Sequence, residues 1–226
     1  MTLLQLDSLD LAALLCSRVC HDVISPVGAI VNGLEVLAEE KEAGMRDFAL
    51  DLINRSARTA SARLQFARIA FGAAGSAGSA IDTGDAEQVA KGFFNDDKIK
   101  LSWSGPRILM PKNRVKLLLN LLVIGASCIP RGGSLDLVME GDGDHPVLTI
   151  TAQGKAARIP HGVEVSLAGT PENNTVDAHG VQPFYAGMIA RASEMAVTIA
   201  LNEDVVKIIS RREDIKTEEK AEEAAV

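Results

Sequence analysis

The sequence predicts an α plus α/β chain, a long N-terminal helical hairpin followed by an α/β domain. Three observations carry this. Apolar residues recur with a helical period through roughly the first seventy positions, broken once at a glycine-containing turn. A run of small residues, Gly72-Ala73-Ala74-Gly75-Ser76-Ala77-Gly78-Ser79-Ala80, then marks a flexible junction. Beyond it, strand-like alternation is interleaved with helical segments. The expected division is a hairpin at 1–75, an α/β domain at 81–211 and a charged tail at 212–226.

The first helix is expected from residue 8 to about residue 40, with Ser8 or Asp7 as its cap. At about 100° per residue, Ala12, Cys16, Val19, Val23, Val27, Ile30, Leu34 and Leu37 fall on one stripe. Polar residues and Gly44 turn the chain into a second helix, about 45–71, with Phe48, Leu52, Ala60, Leu64, Ala67 and Phe71 among its apolar positions. A lone hairpin of this length cannot bury both apolar faces, so two copies are expected to pair as a four-helix bundle in a homodimer. Past the junction, a helix is expected over 85–94 and a strand over 99–103. Pro111 is placed to open a helix running to Cys128, since proline is tolerated in a first turn. Arg131-Gly132-Gly133 turns into a strand at 134–140, and Gly141-Asp142-Gly143-Asp144 leads by hairpin to a strand at 147–152. A helix at about 181–195 and strands at 196–201 and 205–210 complete the domain. The alanine-rich, charged end is expected to be a frayed helix or a disordered tail.

Composition narrows the function. Of 226 residues, 47% are apolar and 23% charged, values of an ordinary globular protein. A net charge of −7 without any Lys/Arg-rich run argues against a nucleic-acid partner. The start of the chain lacks a basic segment and carries Asp7 and Asp10, which is unlike a signal peptide. The apolar run at 117–126 contains Asn120 and is too short to span a bilayer, so no membrane association and a cytoplasmic location are expected. Cys16, Cys20 and Cys128 form no CxxC pair, and without a second ligand pair Cys16 and Cys20 are expected to be small apolar helix residues facing the core, not a metal centre.

On the helical wheel His21 lies roughly 160° from Val23, away from the apolar stripe. Ser17, Arg18, Ser25, Gly28 and Asn32 share its outward face, and the small Ser25 and Gly28 leave room for a docking partner. Imidazole is a competent nucleophile near neutral pH and forms covalent phospho-intermediates. Asp22 is placed to orient or polarise the ring through one nitrogen, leaving the other to attack. Pro26 removes one helical hydrogen bond a turn beyond.

The segment His21-Asp22-Val23-Ile24-Ser25-Pro26-Val27 resembles the H-box of two-component histidine kinases, His-Glu/Asp-apolar-x-Thr/Ser-Pro-apolar. Kinases of that class continue into a GHKL-type ATPase domain with an N-box, an Asp-x-Gly-x-Gly box and a glycine-rich lid. Here Leu119-Asn120-Leu121-Leu122-Val123-Ile124 keeps the N-box frame, but Ile124 stands where a Mg²⁺-liganding asparagine belongs, and a hydrocarbon cannot ligate a hard cation. Ala152-Gln153-Gly154-Lys155-Ala156 replaces the second box, with Ala152 in place of the aspartate that would meet adenine. Gln182-Pro183-Phe184-Tyr185 puts bulk where a lid needs glycines to admit phosphates.

A histidine box joined to a degenerate ATPase domain resembles the ChpT-type histidine phosphotransferases of alphaproteobacterial phosphorelays, over about residues 9–210. The most specific segments are 20–35, Ile129-Pro130-Arg131-Gly132-Gly133 and Gln182-Pro183-Phe184-Tyr185. The resemblance implies a homodimer built on a four-helix bundle, a degenerate GHKL α/β sandwich without nucleotide, and a phosphoacceptor at His21. It also implies transfer from the receiver domain of a CckA-type hybrid histidine kinase to CtrA- and CpdR-type response regulators. No cofactor is expected on this chain, because Mg²⁺ would sit in the partner receiver. Two other readings stay open on the residues alone: an active sensor histidine kinase core, which should bind ATP, and a non-catalytic dimeric adaptor. Arg158, His161 and His179 carry no assigned role.

Overall fold

The computed structural model describes residues 3–39, 42–72, 80–94 and 98–212. The centre of the small-residue junction, at 73–79, and the charged tail from 213 onward lie outside them. Helix α1 (Ser8–Glu39) and helix α2 (Ala43–Ala70) pack along one another as the hairpin. Asp7 is the residue that caps α1, its Oδ1 accepting from the Leu9 N–H at 2.8 Å. Close approach of the two helices depends on Gly33: a Cβ there would stand 2.7 Å from Cγ1 of Ile53 and 3.3 Å from the carbonyl oxygen of Ala49.

The apolar stripe expected on α1 divides in two. Val19, Val23, Ile30 and Leu37 are half-buried, whereas Ala12, Cys16, Val27 and Leu34 are exposed. The exposed residues join Ile24 and Val31 to give an apolar face that no described residue covers; Ile24 is 70% exposed and Leu34 53%. On α2, Met45, Phe48 and Leu64 are likewise exposed. By length and composition α1, and not the run at 117–126, would qualify to cross a bilayer. Its apolarity is that of a helix with two apolar stripes, and Arg18, His21 and Asp22 interrupt it near the middle.

The rest of the chain is an α/β sandwich. In order come β1 (Ala80–Asp82), α3 (Thr83–Phe93), β2 (Ile99–Ser104), β3 (Leu109–Pro111), α4 (Lys112–Ser127), β4 (Gly133–Glu140), β5 (Val147–Gln153), α5 (Val163–Ala168), a 3₁₀ turn (Glu172–Asn174), α6 (Val181–Ala192), β6 (Met195–Asn202) and β7 (Val205–Arg212). Five strands form one sheet in the order β2-β4-β5-β7-β6. Its β2–β4 pair is parallel and the other neighbours are antiparallel. Strands β1 and β3 make a separate antiparallel pair. Gly133 lets β4 enter between its neighbours: its φ is +149°, and a Cβ would stand 2.0 Å from the carbonyl oxygen of Gln153.

Alternation along β4, β5 and β7 sends Leu135, Leu137, Leu148, Ile150, Val206 and Ile208 into the core. Helix α4 crosses that face, buried nearly all round. The same core takes in Phe66, Ile69 and Ala70 from the end of α2. Phe66 stacks on Phe93 of α3 with centroids 4.1 Å apart, so the hairpin is seated on the sandwich through its second helix.

The long elements lie within a few residues of their expected positions. Pro111 precedes α4 as its N-cap, one position before the helix itself. Strands β1 and β3 lie outside the expected elements because, at three residues each, they are too short to show alternation. Helix α5 is also additional, a six-residue segment closed at both ends by left-handed glycines, Gly162 and Gly169.

Candidate functional site

Near the middle of α1, His21 presents an imidazole whose side chain is 72% exposed. Its Nδ1 lies 3.6 Å from Oδ1 of Asp22, too long for a hydrogen bond but close enough for the carboxylate to face that edge of the ring. The other carboxylate oxygen of Asp22 accepts from Nε of Arg18, one turn back, at 3.2 Å. Asp22 is thereby held in place, and Nε2 is the ring nitrogen of His21 that does not face it. Ser25 and Asn32 are exposed, and nothing stands within 4 Å of where a Cβ on Gly28 would project. The outward face around the ring is therefore open. Arg18 departs from the wheel, being half-buried and turned toward the sandwich.

Pro26 is buried in the hairpin. Having no N–H, it leaves the carbonyl of Asp22 without its i+4 helical donor. Arg63 of α2 donates to that carbonyl instead. The backbone under the histidine is thus tied to both helices.

A second wall rises from the loop before α6. The ring of His179 stands 6.3 Å from that of His21, centroid to centroid, with the planes at 75°. Between hairpin and sandwich lies an open cleft of about 500 Å³, lined among others by Arg18, Ile124, Ser127, His161, His179 and Pro183. Ile124 brings a hydrocarbon to this cleft, and α6 opens with Gln182 and Pro183 against it. Ala152 is fully buried on β5. Among the described residues no group of three or more His, Cys, Asp or Glu side chains is arranged to hold a metal ion.

Asn120, the retained asparagine of the N-box frame, is completely buried. Its Nδ2 donates to the carbonyls of Ala70 at 3.1 Å and Lys116 at 2.8 Å, and its Oδ1 accepts from Gln182 at 3.4 Å. It joins α2, α4 and α6 and does not face the cleft. Cys16 and Cys20, expected to face the core, are exposed on α1, and a hydrogen bond from the Cys20 thiol to Cys16 holds the Cys20 thiol above its ordinary range. Cys128 is buried and its Sγ donates to the carbonyl of Ile124 at 3.3 Å.

Sequence reasoning places Ser17, Arg18, Ser25, Gly28 and Asn32 on the outward face of α1 with His21; Ser17, Ser25, Gly28 and Asn32 are exposed, whereas Arg18 and the neighbouring Asp22 are half-buried. It does not find His179 or Arg63. Both come from distant segments, and no local pattern connects them to His21.

Comparison with known proteins bears on this arrangement. Residues 83–205 match the family model of the histidine phosphotransferase C-terminal domain. The chain is 54% identical over 202 residues to the protein phosphotransferase ChpT of Brucella abortus (strain 2308), covering 89% of this chain and 95% of that protein. A solved structure of a bacterial phosphotransferase superposes with a TM-score of 0.84 at 48% identity, over 92% of this chain and all of the other. The histidine kinase AdeS of Acinetobacter baumannii matches over 85% of this chain and 96% of its own at 11% identity and a TM-score of 0.41, too loose a likeness to bear on function. With its hairpin, its sandwich and a near relative matched along almost its whole length, this chain belongs to the histidine phosphotransferase family.

Proposed function

We infer that this chain is a relay: His21 takes a phosphoryl group from the receiver domain of a hybrid histidine kinase and passes it to the receiver domains of response regulators. The single observation that carries this is the exposure of His21, with open space beyond Ser25 and Gly28, beside a cleft where Ile124 and Pro183 stand in place of nucleotide-binding groups. The resemblance assigns the donor to the CckA type and the acceptors to the CtrA and CpdR types, which would place the relay in cell-cycle control.

In the transfer, Nε2 of His21 attacks the phosphorus of an aspartyl phosphate in line. The N–P bond forms as the P–O bond to the donor breaks, and the aspartate leaves as carboxylate. The imidazole gains positive charge, and Asp22 faces the Nδ1 edge where that charge is shared. The second transfer reverses these bonds on a new aspartate. Phosphoryl transfer depends mainly on positioning and charge neutralisation, so the Mg²⁺ pocket of the receiver suffices and this chain needs no cofactor. Arg18, Ser25, Gly28 and Asn32 would form the docking surface, Arg18 from the cleft side. The uncovered apolar face of α1 supports a homodimer, in which a second hairpin completes a four-helix bundle.

The test is transfer of labelled phosphate from a phosphorylated receiver to this chain and onward to a second receiver, with and without ATP. Label is expected on the wild-type chain and absent from His21→Ala, and ATP alone should label neither. Relay by His21→Ala would overturn the assignment; autophosphorylation from ATP would make the chain a kinase.

A further inference from the structure

The second domain contributes one side chain to the neighbourhood of the phosphoacceptor. We propose that His179 is a phosphoryl-binding residue, which donates a ring N–H to a phosphoryl oxygen once His21 is phosphorylated and so prolongs the life of the phosphohistidine between visits of receiver domains. This rests on the relay reading above.

Geometry is the first support. The two ring centroids lie 6.3 Å apart with the planes at 75°, so a phosphoryl group carried by His21 lies within one side chain's reach of the His179 ring. The second support is the rigidity of the loop that carries it. Oδ1 of Asp177 accepts from the backbone N–H of His179 at 3.0 Å and of Gly180 at 2.6 Å, and the Asp177 carbonyl accepts from Val181 at 2.9 Å. These bonds hold the loop where it lines the cleft, with the His179 ring among the side chains it presents there beside Asp177. The third support is availability. Arg18 is engaged by Asp22 at 3.2 Å, and His161 faces Glu172 at 3.3 Å. The His179 ring has no hydrogen-bonded or ionic partner among the described residues.

The need is electrostatic. A phosphoryl group brings close to two negative charges beside the Asp22 carboxylate, and a charge-assisted hydrogen bond from a fixed donor offsets part of that repulsion. While a receiver is docked, its own Mg²⁺ pocket can do this. Once the receiver leaves, only groups of this protein remain, and among the described residues of the cleft His179 is the histidine without another partner. A domain without nucleotide-binding letters would thus still act on the phosphoryl group.

The experiment uses the full chain phosphorylated with phosphoramidate, following the ³¹P resonance absent from His21→Ala and its decay. His179→Phe keeps a flat ring against His21 but no N–H, whereas His179→Gln keeps an N–H donor without the ring. Wild type and His179→Gln are expected to hold the phosphate longer than His179→Phe, on the order of tenfold for one hydrogen bond to a charged group, with the ³¹P resonance shifted only in the Phe variant. Circular dichroism of each variant identifies any that has lost its fold, and the Gln–Phe pair decides between the remaining two. Equal lifetimes and resonances in all three would overturn the proposal, as would a Phe variant that matches wild type while Gln does not, because packing would then be the cause. If His21 in the wild type takes no phosphate from either phosphoramidate or a phosphorylated receiver, the relay reading fails and this inference fails with it.

Discussion

Arg63 supplies to the carbonyl of Asp22 the hydrogen bond that the helix cannot. The acceptor is free because Pro26 sits four residues on, in the interior of α1, without an N–H. A bend-prone position directly under the phosphoacceptor is thereby fixed from the opposite helix.

This relationship predicts non-additive substitutions. Arg63→Met should destabilise the chain by about 1–3 kcal/mol, the range for a half-buried carbonyl that loses a charged donor. In a Pro26→Ala background the alanine N–H restores the helical bond, and the same Arg63→Met change should cost less than half as much. Urea unfolding of the four proteins in the double-mutant cycle measures the coupling. Equal costs in both backgrounds would show that Arg63 does not replace the missing donor.

Asn120 gives a second case. All three of its hydrogen bonds are internal, reaching Ala70, Lys116 and Gln182. Asn120→Leu removes the donors and leaves the buried amide of Gln182 facing hydrocarbon, so a loss of about 2–4 kcal/mol is expected. Gln182→Leu added to Asn120→Leu should recover part of it, since no polar group then remains stranded between α4 and α6. Thermal unfolding of the single and double variants decides this; a double variant as weak as the sum of the singles would contradict it.

How far the sequence reveals this molecule depends on the range of each signal. The periods of α1, α2 and α4 are written in local spacing, and the capping carboxylate of Asp7 is visible before α1. His21 stands out because its motif is contiguous and its wheel position is outward. What could not be read is tertiary: that Arg63 would answer Pro26, that Asn120 would turn into the core, and that His179 would reach His21. The divided stripe of α1 has the same origin. Spacing shows that a helix is apolar, but only the packed hairpin shows which half α2 covers.

Cys128 provides a pH test. Burial pushes its thiol from the ordinary 9.0 up to about 11. Its folded pKa is raised, so the native state binds the proton more tightly than the unfolded chain. Its contribution to stability is therefore fully present below pH 9 and is lost as the pH rises through about 11. A difference of that size corresponds to a loss of about 2–3 kcal/mol. Urea unfolding at pH 8 and pH 11 should show wild type losing more stability than Cys128→Ala, by that difference. Equal losses would mean that the thiol ionises in place without opposing the fold.

The exposed face of α1 makes the last prediction. Ile24, Val27, Val31 and Leu34 follow one another at intervals of three and four residues, the spacing of a seam between helices. Their counterparts on α2, Met45, Phe48 and Leu64, are also open to solvent. A contiguous apolar face of this kind is costly to leave in water, and a second copy supplies a face of matching chemistry with the symmetry that closes the pair. Sedimentation should therefore find the wild-type chain dimeric at micromolar concentration. Val31→Asp places a carboxylate in that seam on both protomers, without touching the half-buried residues that pack on α2. The cost of desolvating two unpaired charges is several kcal/mol, enough to weaken association on the order of a hundredfold or more. The variant should sediment as a monomer and keep its helical circular dichroism, because each hairpin stays seated on its sandwich through Phe66, Ile69 and Ala70. A wild-type monomer, or a Val31→Asp variant that remains dimeric, would place the partner of this face elsewhere.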